Sequence, residues 1–466
     1  MTSTKGDARS TAAVPIRRIV VLGGSGDLMM RYLAPALAEL SREGRLDDRV
    51  TIAGVDRGDF ATDVYRKEIA SALATAGADR TFAARFTHAT ADVTDAASVG
   101  RAIEGEGPAL VYFALPQAVV PKGVAAVAKT RLPEGSRVAI EKPFGDGADS
   151  ARRLNALLAQ SFDADRVFRV DHFLAMRAVR TLLVARLADR ALEAIACAEH
   201  VERVEIVWDE TLGLEDRAGY YDSAGALVDM VQSHLLQVLA MIAMAPPRTL
   251  DGRDVAACRL ATLQRTRLRD PQRPNRCVVR ARYGAGTIGG REVIAYADED
   301  GVDPKKRTET FVQLELRVDD PRWSGVPFVV RTGKALGRDR MEVVFVLREP
   351  SHAAAAGEAR RARIVFDLEP EGLVRESFTA GEGWSPEPVT LSWRPERAAR
   401  SPYAEVLDAI LRGEHGFFPS GPEVEVSWRL VEPVLEAFRD DRVELREYPA
   451  GGAGPSTEGM CESEEE

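Results

Sequence analysis

The stretch IVVLGGSGDLMM, residues 19–30, passes from apolar β-branched residues through three glycines into helix-forming leucine and methionine. That order describes a buried strand, a tight turn and the start of a helix. Gly23 permits the turn, Gly26 lets the backbone approach a ligand, and the N–H groups of the helix's first turn attract an anion. The spacing is G-G-S-G-D-L, not the full G-x-G-x-x-G, so the glycines alone suit a plain strand-to-helix turn as well as a pyrophosphate. Position favours the second use, because the first strand–helix unit is where a doubly wound sheet holds its dinucleotide.

Outward from this turn, residues 17–173 alternate short apolar runs with helical patterns: RRIVVLGG, RVTIAGVD, ALVYFALP, SRVAIEKPFG and RVFRVDHFL. The alternation predicts an α/β, Rossmann-like domain on a parallel sheet. Its second strand ends at Gly54-Val55-Asp56-Arg57. An acid at that place favours NAD and an arginine favours NADP. Both stand there in tandem, which leaves the choice of nucleotide open.

Residues 174–449 read differently, with longer alternating strands such as VERVEIVWDE, TFVQLELRVDD and MEVVFVLRE. They predict a larger α+β domain on an antiparallel sheet. Helices are expected at about 174–190, 225–245, 402–412 and 422–439, the last three packed against that sheet. Residues 1–16 and 450–466 are small, polar or acidic and are expected to be disordered.

Composition narrows the function. A chain of 466 residues with 45% hydrophobic and 29% charged content suits two globular domains. A net charge of −10 argues against nucleic acid as the main partner, yet leaves room for a small anion held by local cations. Cys197, Cys258, Cys277 and Cys461 are scattered without C-x-x-C or Cys/His ligand spacing, so reduced thiols in a cytoplasmic protein are expected, with no metal site. The amino-terminal MTSTKGDARSTAAVPIR has no apolar signal-peptide stretch. The apolar run 225–244 is broken by Asp229, Gln232, Ser233, His234 and Gln237, too polar for a bilayer span. No membrane association is expected, and that run becomes a buried helix with polar work to do.

Three places carry ionisable groups in apolar settings: Asp171-His172 after the last Rossmann-type strand, Asp229 and His234 in the buried helix, and Lys142 before Pro143. Taking a hydride from an alcohol carbon needs a base for the hydroxyl proton, and histidine suits that near neutral pH. A carboxylate on the other ring nitrogen fixes the tautomer and stabilises the imidazolium. On an extended chain Asp171 and His172 point apart, so Asp171 can reach His234 while His172 faces substrate.

The motifs GGSGDL, IEKPFG, RVDHFL, RAGYYDSAGALVDMVQSHLLQ, VPFVVRTGKAL and YAEVLDAILRG, in this order between about 18 and 440, resemble the glucose-6-phosphate dehydrogenase family. The resemblance implies a Rossmann-like domain followed by a larger α+β domain built on an extended antiparallel sheet. It implies assembly through that sheet, as a homodimer or homotetramer. It also implies oxidation of a sugar at C1 to the 1,5-lactone, with hydride passing to NADP or NAD. By matching position it makes His234 the base and Asp171 its orienting carboxylate. Lys142 lies between cofactor and sugar, Glu210 and Asp229 bind sugar hydroxyls, Lys334 binds substrate, and His172 bonds the 6-phosphate. Gly23, Ser25, Gly26, Asp27, Leu28 and Arg57 match nucleotide contacts.

The departures cluster. Phe173 and Met176 stand where the family has a tyrosine and a lysine for the phosphate, and Asp339 and Val228 stand where it has arginines. Asp56 replaces the alanine before the nucleotide arginine. A rival reading therefore keeps the reaction but takes an unphosphorylated or otherwise modified sugar. A third makes the chain a non-catalytic ligand-binding paralogue or partner subunit, against which the retained Asp171, His234 and Lys142 argue.

Overall fold

The computed structural model describes residues 14–214, 218–349, 362–369, 372–380, 387–394 and 400–456. The chain divides into two compact units. The first comprises Met1–Phe144, Arg153–Val170 and Tyr403–Phe418, and the second comprises Gly145–Arg152, Asp171–Pro402 and Pro419–Glu466.

The first unit holds six parallel strands, β1 (Arg18–Leu22), β2 (Thr51–Asp56), β3 (Phe86–Thr90), β4 (Ala109–Phe113), β5 (Arg137–Glu141) and β6 (Val167–Val170), in the order β3-β2-β1-β4-β5-β6. Val20, Leu22, Val111, Phe113, Val138 and Ile140 enter one core cluster on one face, and Ile19, Val21, Leu110, Tyr112 and Ala139 are buried on the other, as expected of strands covered on both faces. Chain order reverses between β1 and β4, and ligands of such sheets bind beyond the strand ends at that switch point.

Helix Pro402–Arg412 belongs to this unit, not to the antiparallel sheet that its sequence position suggested. The Arg45 guanidinium bonds both oxygens of the buried Asp408 carboxylate, at 3.0 and 2.5 Å. Arg137 donates to the Ile410 carbonyl at 2.7 Å. A buried carboxylate needs such a partner, and the chain supplies it here.

The second unit is built on ten strands. They are β7 (Val201–Asp209), β8 (Thr266–Leu268), β9 (Val278–Gly284), β12 (Phe311–Val318), β13 (Phe328–Gly333), β14 (Arg340–Leu347), β15 (Arg363–Asp367), β16 (Val374–Ala380), β17 (Glu387–Trp393) and β18 (Leu445–Pro449). A small separate hairpin holds β10 (Gly286–Ile288) and β11 (Arg291–Val293). The large sheet runs β17-β16-β15-β14-β7-β13-β12-β9-β18, with β8 beside β12. It is mixed and not purely antiparallel, since β7 pairs parallel with β13 and β9 with β18. Each of those pairs is separated by a long helical or multi-strand excursion, which a parallel pairing requires.

The apolar run expected as one helix is three pieces: Ala218–Ala226, a π-helical segment Leu227–Leu235, and Leu236–Ala243. Gly225 has a left-handed φ of 66°, and the Ala226 N–H turns to the Glu309 carbonyl at 3.1 Å. By length and composition Tyr221–Ala243 is apolar enough to cross a bilayer, contrary to the expectation from its polar residues, but most of it is buried inside the protein. Helix Gly421–Arg439 starts with a capping box, Ser420 and Glu423, and Glu423 also meets Arg259 at 2.8 Å with both side chains fully buried. Of the ends expected to be disordered, residues 1–13 and 457–466 lie outside the described residues. Ala450 and Gly451 are held by backbone bonds to Gly284 and Ala335.

Candidate active site

In the first unit β1 delivers the glycine turn. Gly23 has φ 91°, and a Cβ there would sit 2.1 Å from the Ala114 carbonyl oxygen, while one on Gly24 would meet the Gly54 Cα at 2.3 Å. The loop can therefore close on β2 and β4 only with glycine at both places, and Gly24 joins the residues singled out from sequence. Ser25, Gly26 and Asp27 are exposed. Met30 donates to the Gly26 carbonyl at 3.1 Å, so the N–H groups of Asp27, Leu28 and Met29 precede the helix's own ladder. Bare glycine backbone leading into leading N–H groups fits a dinucleotide pyrophosphate.

Asp56, at the end of β2, is tied to this loop. It accepts the Ser25 N–H and the Gly58 N–H, each at 2.8 Å. Burial works to raise its pKa, but these hydrogen bonds win and hold it below the usual carboxylate range. Arg57 points outward, 73% exposed, and pairs with Asp92 at 3.1 Å. Lys142 follows β5, where Tyr112, fully buried, donates its hydroxyl to Glu141; the Lys142–Pro143 peptide is cis.

The second unit gathers the other candidates. Asp171 ends the extended run of β6, and residues 172–175 form a turn instead of continuing the strand. The buried His234 Nδ1 lies 2.8 and 2.9 Å from the two oxygens of buried Asp171. One of those oxygens also accepts the Phe173 N–H at 3.1 Å, so the turn itself aims the carboxylate. His172 stays near, its ring centroid 6.4 Å from that of His234. Phe173 does not face solvent: it is 4% exposed, stacks on His234 at 4.8 Å and 22°, and packs on Trp208 at 4.7 Å.

Glu210 and Lys334, at the ends of β7 and β13, form an ion pair at 2.8 Å. The Lys334 ammonium lies 5.5 Å from the centroid of the Tyr221 ring. Burial first and the negative charge of Asp229 second push the Tyr221 hydroxyl well above its ordinary pKa, so it stays a neutral donor. Tyr221 thus joins Lys334, Glu210 and Asp229; it lies within a quoted motif, yet only the fold shows its place. Asp339 accepts the Thr211 N–H at 2.6 Å, bracing the turn beside Glu210. Behind this group Glu309, 5% exposed, accepts the Leu227 N–H at 3.0 Å, and burial pushes its carboxyl up to about 7.

Cys197, Cys258 and Cys277 are free thiols; Cys461 lies outside the described residues. Contrary to the expectation of no Cys/His ligand spacing, Cys197 and His200 stand three residues apart and converge with Glu199 within 4.8 Å in a surface turn.

Residues 20–181 match the model for the glucose-6-phosphate dehydrogenase NAD binding domain, and residues 183–465 match that for its C-terminal domain. The glucose-6-phosphate 1-dehydrogenase of Mycolicibacterium smegmatis is 34% identical, with 94% of each chain covered. That of Leuconostoc mesenteroides is 29% identical over 94% of this chain and 95% of its own. Among solved structures, a glucose-6-phosphate dehydrogenase in complex with its substrate glucose-6-phosphate superposes with a TM-score of 0.86 at 26% identity, covering 96% of both chains. The Mycobacterium avium enzyme gives 0.83 at 32% identity, covering 95% of both. Matching in both domains and over nearly its whole length, the chain belongs to the glucose-6-phosphate dehydrogenase family of NAD(P)-binding oxidoreductases.

Proposed function

We propose that the protein oxidises a hexose, foremost glucose 6-phosphate, at C1 to the 1,5-lactone, with His234 as general base. The observation that carries this is the buried Asp171–His234 contact at 2.8–2.9 Å. With Nδ1 turned to Asp171, the ring nitrogen that takes the C1 hydroxyl proton is Nε2. As the proton moves, Asp171 stabilises the imidazolium. NAD or NADP, held by the loop from Gly23 to Leu28, would supply the acceptor for the C1 hydride. Glu210 and Asp229 accept from sugar hydroxyls, Lys334 and His172 hold the substrate, and Lys142 serves both nucleotide and sugar.

A second reading keeps the chemistry and drops the phosphate. Phe173 is packed against His234 and Trp208, and Asp339 is spent on Thr211, so neither offers an anion a contact. One assay separates the two: purified protein, NAD or NADP, and a panel of free and phosphorylated sugars, followed by the absorbance of the reduced nicotinamide. Turnover with glucose 6-phosphate well above glucose supports the first reading, and comparable rates support the second. No reduction with any sugar overturns both. His234→Ala is expected to lower kcat about 10²–10⁴-fold with KM little changed.

A further inference from the structure

We propose that Asp56 makes NAD, not NADP, the preferred nucleotide of this chain, its carboxylate receiving the hydroxyls of the adenosine ribose. The inference rests on the nucleotide-binding reading of the glycine loop and narrows it.

Asp56 closes β2, the strand beside β1, and that strand end faces the adenosine ribose in a doubly wound sheet. It is a built position and not a surface acid free to swing away. Asp56 Oδ2 accepts the Ser25 N–H at 2.8 Å, which joins it to the loop that meets the pyrophosphate. Oδ1 accepts the Gly58 N–H at 2.8 Å and lies 3.3 Å from His88 Nε2. The His88 side chain is fully buried beneath it, between the rings of Phe60 and Tyr65 at 5.3 and 5.1 Å. Tyr65 in turn donates to the Gly24 carbonyl at 2.8 Å. Strand end, glycine loop and β3 therefore hold the carboxylate from three sides.

A carboxylate offers about four acceptor sites. The Ser25 and Gly58 N–H groups and the His88 ring occupy three, which leaves room for a ribose hydroxyl, a donor. A 2′-phosphate is the opposite kind of group, carrying about −1.5 to −2 charges at neutral pH. Beside a fixed carboxylate it is repelled at short range. Arg57, the cation that could offset this, is turned outward onto Asp92 at 3.1 Å, so part of its charge is already met by that carboxylate.

The test is equilibrium binding to the full-length protein without sugar, by calorimetry with NADH and with NADPH, so that it does not depend on turnover. The wild type is expected to bind NADH at least about tenfold more tightly than NADPH. Asp56→Asn, which keeps the shape, removes the charge and gives up one of the two backbone acceptors, is expected to shrink that ratio towards one by weakening NADH less than it tightens NADPH. NADPH binding as tight as NADH in the wild type overturns the proposal, whatever the variants do. So does an Asp56→Asn variant that weakens both nucleotides equally, which would make Asp56 a loop brace alone. Binding of neither nucleotide would overturn the nucleotide reading of the loop itself, a separate failure.

Discussion

Asp171 fixes His234 through two constraints that come from different parts of the chain. Its carboxylate is aimed by the turn at 171–175 through the Phe173 N–H, and the imidazole is clamped by the Phe173 ring at 4.8 Å. Asp171→Asn preserves the volume but can present an amide donor to Nδ1, favouring the tautomer whose Nε2 already carries a proton. Such a ring cannot accept the sugar's proton. The expected outcome is a kcat lowered about 10²–10⁴-fold, with sugar KM within a few-fold of wild type. Steady-state kinetics across pH check it, and a raised KM with kcat intact would instead make Asp171 a substrate contact. This pair was legible in the sequence, because two acid–histidine neighbourhoods in apolar runs are unusual enough to be matched. Phe173 was not. A tyrosine position filled by phenylalanine read as a lost phosphate contact, whereas burial against Trp208 gives the ring a packing task that no residue count reveals.

At the level of elements, the segment that carries Asp229 and His234 begins at a backbone break. Gly225 turns left-handed at φ 66°, and a Cβ there would lie 2.4 Å from Glu309 Oε1, so only glycine fits; Glu309 receives the Leu227 N–H. Burial pushes Glu309 up to about 7 from an ordinary 4.5, while the Leu227 N–H and the Arg280 charge pull the other way. Since the folded pKa exceeds the unfolded one, the folded state binds the proton more tightly. That stabilisation is fully present below about pH 4.5 and is lost as pH rises through 7, an effect on the order of 3 kcal/mol. Glu309→Gln keeps an acceptor for Leu227 and removes the titration. Denaturant midpoints measured from pH 5 to 8 should therefore converge differently for the two proteins, the wild type losing stability relative to the variant as pH rises. Parallel curves would show that Glu309 does not titrate in this window. The strands and long helices were readable from period and turn residues, but this break was not. It sits against a carboxylate 84 positions after the glycine, and only tertiary packing brings them together.

For the whole molecule, the sequence showed the two architectures because each has its own period, continuous apolar runs for the first sheet and alternation for the second. Alternation reports one covered face and not strand direction, so the parallel pairing of β7 with β13 was invisible. The return of helix Pro402–Arg412 to the first unit was equally hidden, being decided by Arg45 and Arg137 hundreds of residues earlier. The remaining expectation at this scale is assembly through the large sheet. One face of its central strands carries Arg203, Glu205, Glu315 and Arg340, with Arg203 and Arg340 both paired to Glu205 and Val329 among them. Val329 stands opposite Glu205 on β7 and Glu315 on β12. Val329→Lys would thus place a lysine beside Glu205, already paired with Arg203 and Arg340, and Glu315, already paired with Arg269, an arrangement that a single chain tolerates. In an assembly that buries this face, the same lysine must be desolvated in the middle of the interface, where charge is disfavoured. Light scattering is expected to give the wild type two or four times the 50.7 kDa chain mass and Val329→Lys a smaller assembly of undiminished thermal stability. A wild type that is monomeric at micromolar concentration, or a variant whose assembly is as large as the wild type's, would place any assembly on another surface.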